Sequence, residues 1–394
     1  MAQTVGVQLL QAKRPRCRFA PIGLISCLVF LSCCGTLTRT PYTAAEAARP
    51  EVLDVSGLRY FADDPIQSLD ALRPRAIVNG EITYLALSGG GADGAFGAGF
   101  LAGLSSAGKR PEFSAVSGVS TGALIAPFAF LGPQYDQKLK ELYTSGIAAS
   151  LAQGGGPLSI LSTSGPFANH RLERLVDHYV DAQLLQAVAA ESAKGRRLLV
   201  VTTNLDTQRT NIWDMGRIAA LGTPGALTLF RKVLTASASI PVVFPPVPIE
   251  AEANGHHFEE LHVDGAVMSP VLTLPETFLL RERRVPGPPI NMYMLINNEV
   301  DRRFQVVPGD TKSLAVRSAS TLVKVQTRST IFDSYHLTRR NNFKFSLAYV
   351  GGDFRGEETQ DFSTAFMQSL YQYGYAKGRS PSAWVHQPPP EALY

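Results

Sequence analysis

The sequence has 394 residues, of which 45% are hydrophobic and 18% are charged, a composition that excludes an intrinsically disordered chain. Its formal net charge is +4, from 37 basic and 33 acidic residues, and the first 34 residues hold four of the basic residues and no acidic one. The rest of the chain is therefore neutral, which argues against a nucleic-acid partner.

Residues 1–34 have the pattern of an export signal, in which a basic region precedes an apolar run over residues 19–31. All four cysteines lie within these residues, so the rest of the chain offers no disulfide, cysteine metal site or cysteine nucleophile. The stretch Leu31-Ser-Cys33-Cys34 resembles a bacterial lipobox, with Cys34 or Cys33 as the lipidated residue. We expect an exported protein anchored by lipid in the cell envelope; a secreted protein and an uncleaved anchor are the alternatives.

After this signal, residues 35–80 are predicted as a tether and lead-in, residues 81–380 as one domain and residues 381–394 as a C-terminal tail. Strands are predicted at residues 82–88, 113–117, 197–203, 210–215, 260–263 and 290–296. Helices are predicted at about 94–107, 121–131, 169–180, 182–193, 226–238, 312–334 and 362–377, with a loop at 145–168. Strands that alternate with helices predict an α/β fold, here a single three-layer α/β/α domain with a mostly parallel central sheet.

The second predicted strand runs into the turn Gly118-Val-Ser120-Thr-Gly122, which precedes an apolar helix. A strand-to-helix turn of this type holds a serine in a strained, exposed position, and glycines two residues away on either side avoid a collision across the turn. The N–H groups that begin the next helix favour negative charge at the site. Ser120 is therefore a candidate nucleophile, although such a turn also occurs where a strand and a helix merely pack tightly.

The first predicted strand ends in the glycine loop Gly89-Gly90-Gly91-Ala92-Asp93-Gly94. This loop matches a dinucleotide-binding fingerprint, but the acid that should end the second strand is missing, since Glu112 precedes that strand. Backbone N–H groups of consecutive glycines that face a nucleophile are able to form an oxyanion hole. A tight packing turn is the remaining interpretation.

A base for Ser120 is not obvious among the histidines, because none of them follows a late strand in a recognisable loop. The seven are His170, His178, His256, His257, His262, His336 and His386. The better candidate is Asp264, which ends the strand Glu260 to Val263 and precedes Gly265, because catalytic side chains gather at the carboxyl ends of parallel strands. Asp-Gly is also a common turn sequence.

Together, Gly89 to Gly94, Gly118 to Gly122 and Asp264-Gly265-Ala266, in this order and spacing, resemble the patatin-like phospholipase family over residues 82–380. The resemblance implies a patatin-like fold and a Ser–Asp dyad without histidine, in which Ser120 is the nucleophile and Asp264 the base. It also implies oxyanion N–H groups from Gly90, Gly91 and Ala92, and hydrolysis of a lipid or phospholipid ester through an acyl-enzyme at a membrane surface. No metal or cofactor is implied.

One residue departs from the family pattern, since Asp93 lies in the glycine loop where family members often carry Arg or Lys. An acid that faces the pocket disfavours anionic headgroups, so a neutral ester competes with a phospholipid as the expected substrate. Two other interpretations of the chain remain, a non-catalytic lipid-binding envelope protein with the same fold and a nucleotide-binding enzyme that uses the glycine loop.

Overall fold

The computed structural model describes residues 39–149, 169–241, 243–273, 287–301, 304, 306–355 and 362–389. The predicted export signal with Cys33 and Cys34, and most of the predicted loop at 145–168, lie outside these ranges. The described helices and strands all belong to the unit that begins at Thr40. Within the described ranges, no helix combines the length and the apolar character that a bilayer span requires.

Nine strands are described: β1 Arg59–Phe61, β2 Ile82–Leu87, β3 Ala115–Val119, β4 Arg197–Asn204, β5 Arg209–Asp214, β6 Val247–Ala253, β7 His256–Asp264, β8 Ile290–Glu299 and β9 Lys344–Val350. The α-helices described are α1 Ala44–Ala48, α2 Ile66–Leu69, α3 Gly94–Ser106, α4 Thr121–Leu131, α5 Asp136–Thr144, α6 Asn169–Tyr179, α7 Ala182–Ala193, α8 Met215–Ala220, α9 Pro224–Ser237, α10 Thr311–Asn341 and α11 Thr364–Arg379.

The strands form one sheet in the order β1-β5-β4-β3-β2-β8-β9. Its centre is parallel, because β4, β3, β2, β8 and β9 all run in the same direction. Antiparallel strands flank β4, with β5 on one side and the hairpin of β6 and β7 on the other. The predicted α/β fold with a mostly parallel central sheet is therefore confirmed.

Alternate side chains of the central strands enter cores on opposite faces of the sheet, as the two-residue period of a strand requires. Leu85 and Leu87 of β2 enter the larger core with side chains of α3, α4 and α9. Tyr84 and Ala86 enter the opposite core, where Ile331 of α10 packs against them. Helices thus cover both faces of the sheet, and the three-layer arrangement is confirmed.

The helix predicted at 94–107, which is α3, packs through a face of small residues against the last helix, α11. A Cβ on Gly99 would overlap the backbone of Tyr371, and a Cβ on Gly374 would overlap the backbone of Phe96. Glycines on both helices therefore let the two backbones approach closely. The contact fixes α3, whose first residue, Gly94, is the last residue of the glycine loop.

The structure contains strands that were not predicted, and one predicted strand is longer than expected. Part of the expected tether is folded, since Arg59–Phe61 pairs with β5 and Leu69 and Leu72 are buried. These short elements were not predicted within residues 35–80, because their apolar clusters have no clear periodicity. The structure adds the strands β6 and β9, and it extends the strand predicted at 260–263 to His256–Asp264.

Candidate active site

The strand β4 places Ser120 and Asp264 beside each other. β4 pairs with β3 up to Val201, which lies opposite Val119. From Thr202 onward β4 pairs with β7 instead, and Thr202 lies opposite Asp264. Ser120 directly follows β3 and Asp264 is the last residue of β7. The two side chains therefore meet at the carboxyl edge of the parallel strands, where sites of α/β proteins usually lie.

The backbone of Ser120 is strained, as the elbow pattern predicts. Its φ is 55° and its ψ is −125°, a region that residues with a side chain rarely occupy. Thr121 begins α4 directly afterwards, and the Ser120 N–H donates to Ser237 Oγ at 3.0 Å. The strain is thus held by the strand before it, the helix after it and this hydrogen bond.

Ser120 Oγ donates a hydrogen bond to Asp264 Oδ2 at 2.6 Å. The other carboxylate oxygen, Oδ1, accepts from the Ala266 N–H at 2.8 Å, and the Asp264 N–H donates to Ser239 O at 3.0 Å. The carboxylate is therefore held in one orientation. Burial raises the pKa of Asp264 to about 7, although the hydrogen bonds from Ser120 and Ala266 oppose this rise.

The glycine loop lies against the dyad. A Cβ on Gly89 would lie 3.8 Å from Ser120 Oγ, so the loop passes directly over the serine. Gly91 has a φ of +56° and begins a 3₁₀ turn, and Ala92 is buried within that turn. The first N–H groups of a helix lack partners inside it. Among the described residues, the N–H groups of Gly90, Gly91 and Ala92 have no backbone acceptor.

A buried pair at the ends of β2 and β8 holds the start of this loop. Asn297 Nδ2 donates to Ser88 O at 2.7 Å, and the Asn297 N–H donates to Ser88 Oγ at 2.8 Å. Ser88 Oγ itself donates to Gly89 O at 2.8 Å. Asn297 was not predicted from the sequence, because its position beside Ser88 depends on the pairing of β2 with β8.

Ser237 and Ser239, at the end of α9 and just after it, form a second support that was not predicted. Ser237 Oγ accepts from Ser120 N–H and donates to Val201 O at 2.6 Å, so it joins the elbow to β4. Ser239 supplies the carbonyl that receives the Asp264 N–H. The sequence signal that could have found them is the stretch Ser237-Ala-Ser239 at the end of the helix predicted at 226–238.

The remaining motif glycines permit close packing around the dyad. A Cβ on Gly118 would overlap the carbonyl of Gly122, and a Cβ on Gly122 would lie 2.5 Å from Leu87 O. A Cβ on Gly265 would lie 2.6 Å from Val201 O, and a Cβ on Gly94 would overlap Thr121 Oγ1. These positions accept glycine alone without displacement of the backbone that carries Ser120 and Asp264.

Among the described residues, the hydrogen-bond partner of Ser120 Oγ is the aspartate and not a histidine. His262, two residues before Asp264, is buried and bonds Thr202 Oγ1 through Nδ1 at 2.9 Å. Burial lowers the pKa of His262 even though Glu260 lies beside it. This histidine therefore favours its neutral form, in a buried network that includes the ion pair of Arg59 with Glu260; the side chain of His170 lies outside the described part.

Asp93 lies in the 3₁₀ turn of the glycine loop and is partly buried. Burial raises its pKa to about 7; the positive charge of Lys324 on α10 opposes the rise and the negative charge of Glu299 adds to it. At neutral pH this side chain thus carries only part of a negative charge. The objection to anionic headgroups that rested on Asp93 is correspondingly weaker.

In the part of the chain that the structure describes, no cluster of three or more histidine, cysteine or acidic side chains is arranged to hold a metal ion.

Residues 85–275 match the family model described as patatin-like phospholipase. The uncharacterized protein R571 of Acanthamoeba polyphaga mimivirus is 27% identical over 191 residues, which make up 48% of this chain and 62% of that protein. The chain thus matches less than two thirds of the length of this relative.

Two solved structures are similar to this chain at low identity. VipD from Legionella pneumophila is 14% identical, with a TM-score of 0.39 and coverage of 77% of this chain and 66% of VipD. ExoU from Pseudomonas aeruginosa, solved in complex with SpcU, is 17% identical, with a TM-score of 0.27 and coverage of 67% of this chain and 53% of ExoU. TM-scores this low do not establish a shared fold, so the family match depends on residues 85–275.

Proposed function

Because this chain belongs to the patatin-like phospholipase family through residues 85–275, we propose that it is a serine hydrolase that cleaves lipid acyl esters with a Ser120–Asp264 dyad. The observation that carries the proposal is the 2.6 Å hydrogen bond from Ser120 Oγ to Asp264 Oδ2 at the carboxyl edge of the sheet. It joins a nucleophile to a base within the reach that proton transfer needs.

In the first half of the reaction, Asp264 takes the proton of the Ser120 hydroxyl while Oγ attacks the carbonyl carbon of the ester. The carbonyl oxygen becomes an oxyanion, which the N–H groups of Gly90, Gly91 and Ala92 stabilise. When the ester bond breaks, the alcohol leaves with the proton from Asp264, and the acyl group remains on Ser120 Oγ.

In the second half, a water molecule gives a proton to Asp264 and attacks the acyl carbon. The acyl–Oγ bond breaks, the proton returns to Ser120, and a fatty acid is released. A carboxyl group with a pKa of about 7 suits both steps, because it accepts and returns a proton near neutral pH.

Hydrogen bonds from neighbouring residues hold the dyad and the glycine loop in place before the substrate binds. The Ala266 N–H occupies Oδ1 of Asp264, so Oδ2 is left for the serine. Asn297 holds the carbonyl of Ser88 and thereby fixes the beginning of the glycine loop. Donors that are already in place need no reorganisation when the oxyanion forms.

The cellular setting remains part of the proposal. The N-terminal signal and the lipobox-like Cys33 and Cys34 favour an exported protein that is anchored by lipid in the bacterial envelope. Such an anchor would keep the hydrolase close to lipid substrates.

The test compares hydrolysis of a short-chain nitrophenyl ester and of a panel of phospholipids and neutral lipid esters by four proteins. Ser120→Ala and Asp264→Asn should each lower kcat by at least about 10³-fold. Wild type and Ser105→Ala, which changes a helix serine that bonds Leu101 O, should be equally active. Full activity in either dyad variant would remove that residue from the mechanism, and lipid binding without hydrolysis by wild type would favour a non-catalytic lipid-binding protein.

A further inference from the structure

Among the side chains whose exposure the structure describes, the long helix α10 has buried ones only along its C-terminal half. Between Thr327 and Asn341, buried side chains recur at the three- and four-residue spacing of one helix face. Between Thr311 and Gln326, no side chain whose exposure the structure describes is buried. At 1.5 Å per residue this exposed half is about 24 Å long.

The exposed half of α10 combines apolar side chains with positive charge. Leu322 is 72% exposed, Val325 59% and Leu314 49%. From Thr311 to Phe332 the sequence has four basic residues and no acidic one, and two of the four, Lys324 and Arg328, also contact the segment after β8. A helix that presents this combination to solvent is typical of attachment to an anionic membrane surface, where apolar side chains enter the lipid and the cations meet the headgroups.

Contacts of α10 place its exposed half beside the catalytic dyad. The Gln326 side chain donates to the carbonyl oxygen of Met268, four residues after Asp264. Met268 and its neighbour Val267 are themselves 36% and 46% exposed. Leu322 lies one helical turn before Gln326, so these three apolar side chains lie in the same region of the surface.

The other side of the helix meets the glycine-loop end of the sheet. Lys324 Nζ donates to Asp301 O at 2.7 Å, just beyond β8. The segment that connects β8 to α10 adds Phe304, 92% exposed, and Val306, 79% exposed. Exposed apolar side chains thus concentrate where the carboxyl edge of the sheet opens to solvent, and clustered exposure of this kind marks an interaction surface.

We propose that the α10 surface, defined as Leu314, Leu322, Val325, Val267 and Met268, docks on an anionic lipid bilayer. Docking would place the carboxyl edge of the sheet, where Ser120 and Asp264 lie, against the membrane. An acyl chain would then reach Ser120 without crossing bulk water. This interpretation of the surface rests on the proposed lipid hydrolase function. The basic residues of α10 favour a lipid surface over an apolar face of a second copy, because two copies of the same basic helix would repel each other.

The first experiment measures insertion at one residue of the full chain. The four native cysteines are replaced by serine, Ser120→Ala prevents hydrolysis, and Leu322→Cys carries an environment-sensitive fluorophore. The matched control is Ile77→Cys, 54% exposed and located before β2 at the opposite end of the strands. A local probe is needed because the N-terminal segment would itself attach the chain to vesicles.

With vesicles of phosphatidylcholine and phosphatidylglycerol, emission at residue 322 should rise at least about twofold, and emission at residue 77 should not change. Vesicles of phosphatidylcholine alone should give a smaller rise at residue 322. No rise at residue 322, or an equal rise at both residues, would overturn the proposal. So would a rise that depends on protein concentration without vesicles, since it would assign the surface to a second copy.

The second experiment uses the active protein and the ratio of two rates, hydrolysis of vesicle phospholipid over hydrolysis of a soluble ester. Leu322→Asp should lower this ratio by about tenfold, because it removes apolar contact and adds a negative charge at the membrane. Ile77→Asp should leave the ratio unchanged, and an equal effect of both variants would contradict the docking surface. Insertion at residue 322 in a chain without any hydrolase activity would refute the proposed function and keep the docking surface.

Discussion

The substitution Asp264→Asn should remove catalysis and, at alkaline pH, stabilise the fold. An asparagine has the shape of the aspartate, and its Oδ1 is able to accept from the Ala266 N–H as the carboxylate does. Its amide is able to face Ser120 Oγ, which then acts as an acceptor. What the variant loses is the titration of a buried carboxyl group.

The sign of the effect follows from the pKa of Asp264, which burial raises from 3.8 to about 7. Between these two values the folded chain keeps a proton that the unfolded chain releases, so the stability of the wild type falls as the pH rises through this window. The contribution of Asp264 is fully present below pH 3.8 and lost above pH 7. The difference corresponds to about 4 kcal/mol of unfolding free energy.

The assay is urea unfolding of the wild type, Asp264→Asn and Ser120→Ala at several pH values between 4 and 8.5. The difference in unfolding free energy between Asp264→Asn and the wild type should increase in favour of the variant by up to about 4 kcal/mol from pH 4 to pH 8.5. Ser120→Ala retains the carboxyl group but loses the hydrogen bond that opposes the rise of its pKa, so its pH dependence should be at least as large as that of the wild type. Parallel curves for wild type and Asp264→Asn would show that the carboxylate is ionised in the folded protein at its ordinary pKa, and would refute the reasoning.

Three further predictions concern the dyad and its supports. Because the base must be ionised, kcat/KM for a soluble ester should fall about tenfold per pH unit below pH 7, and a pH–rate profile flat to pH 5 would contradict this. Gly122→Ala should lower the unfolding free energy by about 1–3 kcal/mol, since its Cβ would lie 2.5 Å from Leu87 O; an unchanged urea midpoint would contradict the packing. Asn297→Ala should lower kcat by about tenfold or more and alter KM little, because it frees the carbonyl of Ser88 and loosens the glycine loop; an unchanged kcat in the folded variant would deny Asn297 a positioning role.

The local elements of the domain were predictable because their patterns are strong. The buried strand before the glycine loop and the strand before the serine elbow are rich in apolar residues, and both were predicted to within a few residues. β6 was missed although the two-residue turn Asn254-Gly255 joins it to β7, a turn that is a local hairpin signal in the sequence. β9 was missed because it pairs with β8, which is distant in the sequence. Strand pairing is decided by such long-range contacts and not by propensity.

In the candidate site, too, some residues were predictable from local sequence and others depend on long-range strand pairing. Ser120 and Asp264 each follow a predicted strand, and in the structure Ser120 Oγ lies 2.6 Å from Asp264 Oδ2 as its hydrogen-bond donor. The supports Ser237 and Asn297 act through single hydrogen bonds across the fold, so their roles depend on the register of β4 with β3 and of β2 with β8. The effect of Asp93 also needed the structure, because its raised pKa results from burial and not from its position in the loop.

The central claim is that Ser120 is a nucleophile activated by Asp264. Its most direct test is the reaction of the folded full chain with a fluorophosphonate, followed by mass spectrometry of the peptide that contains residue 120. We predict one phosphonyl group on Ser120 in the wild type, none in Ser120→Ala and much slower labelling in Asp264→Asn. A wild-type chain that is folded and stays unlabelled at Ser120, or an equal rate in Asp264→Asn, would contradict the account.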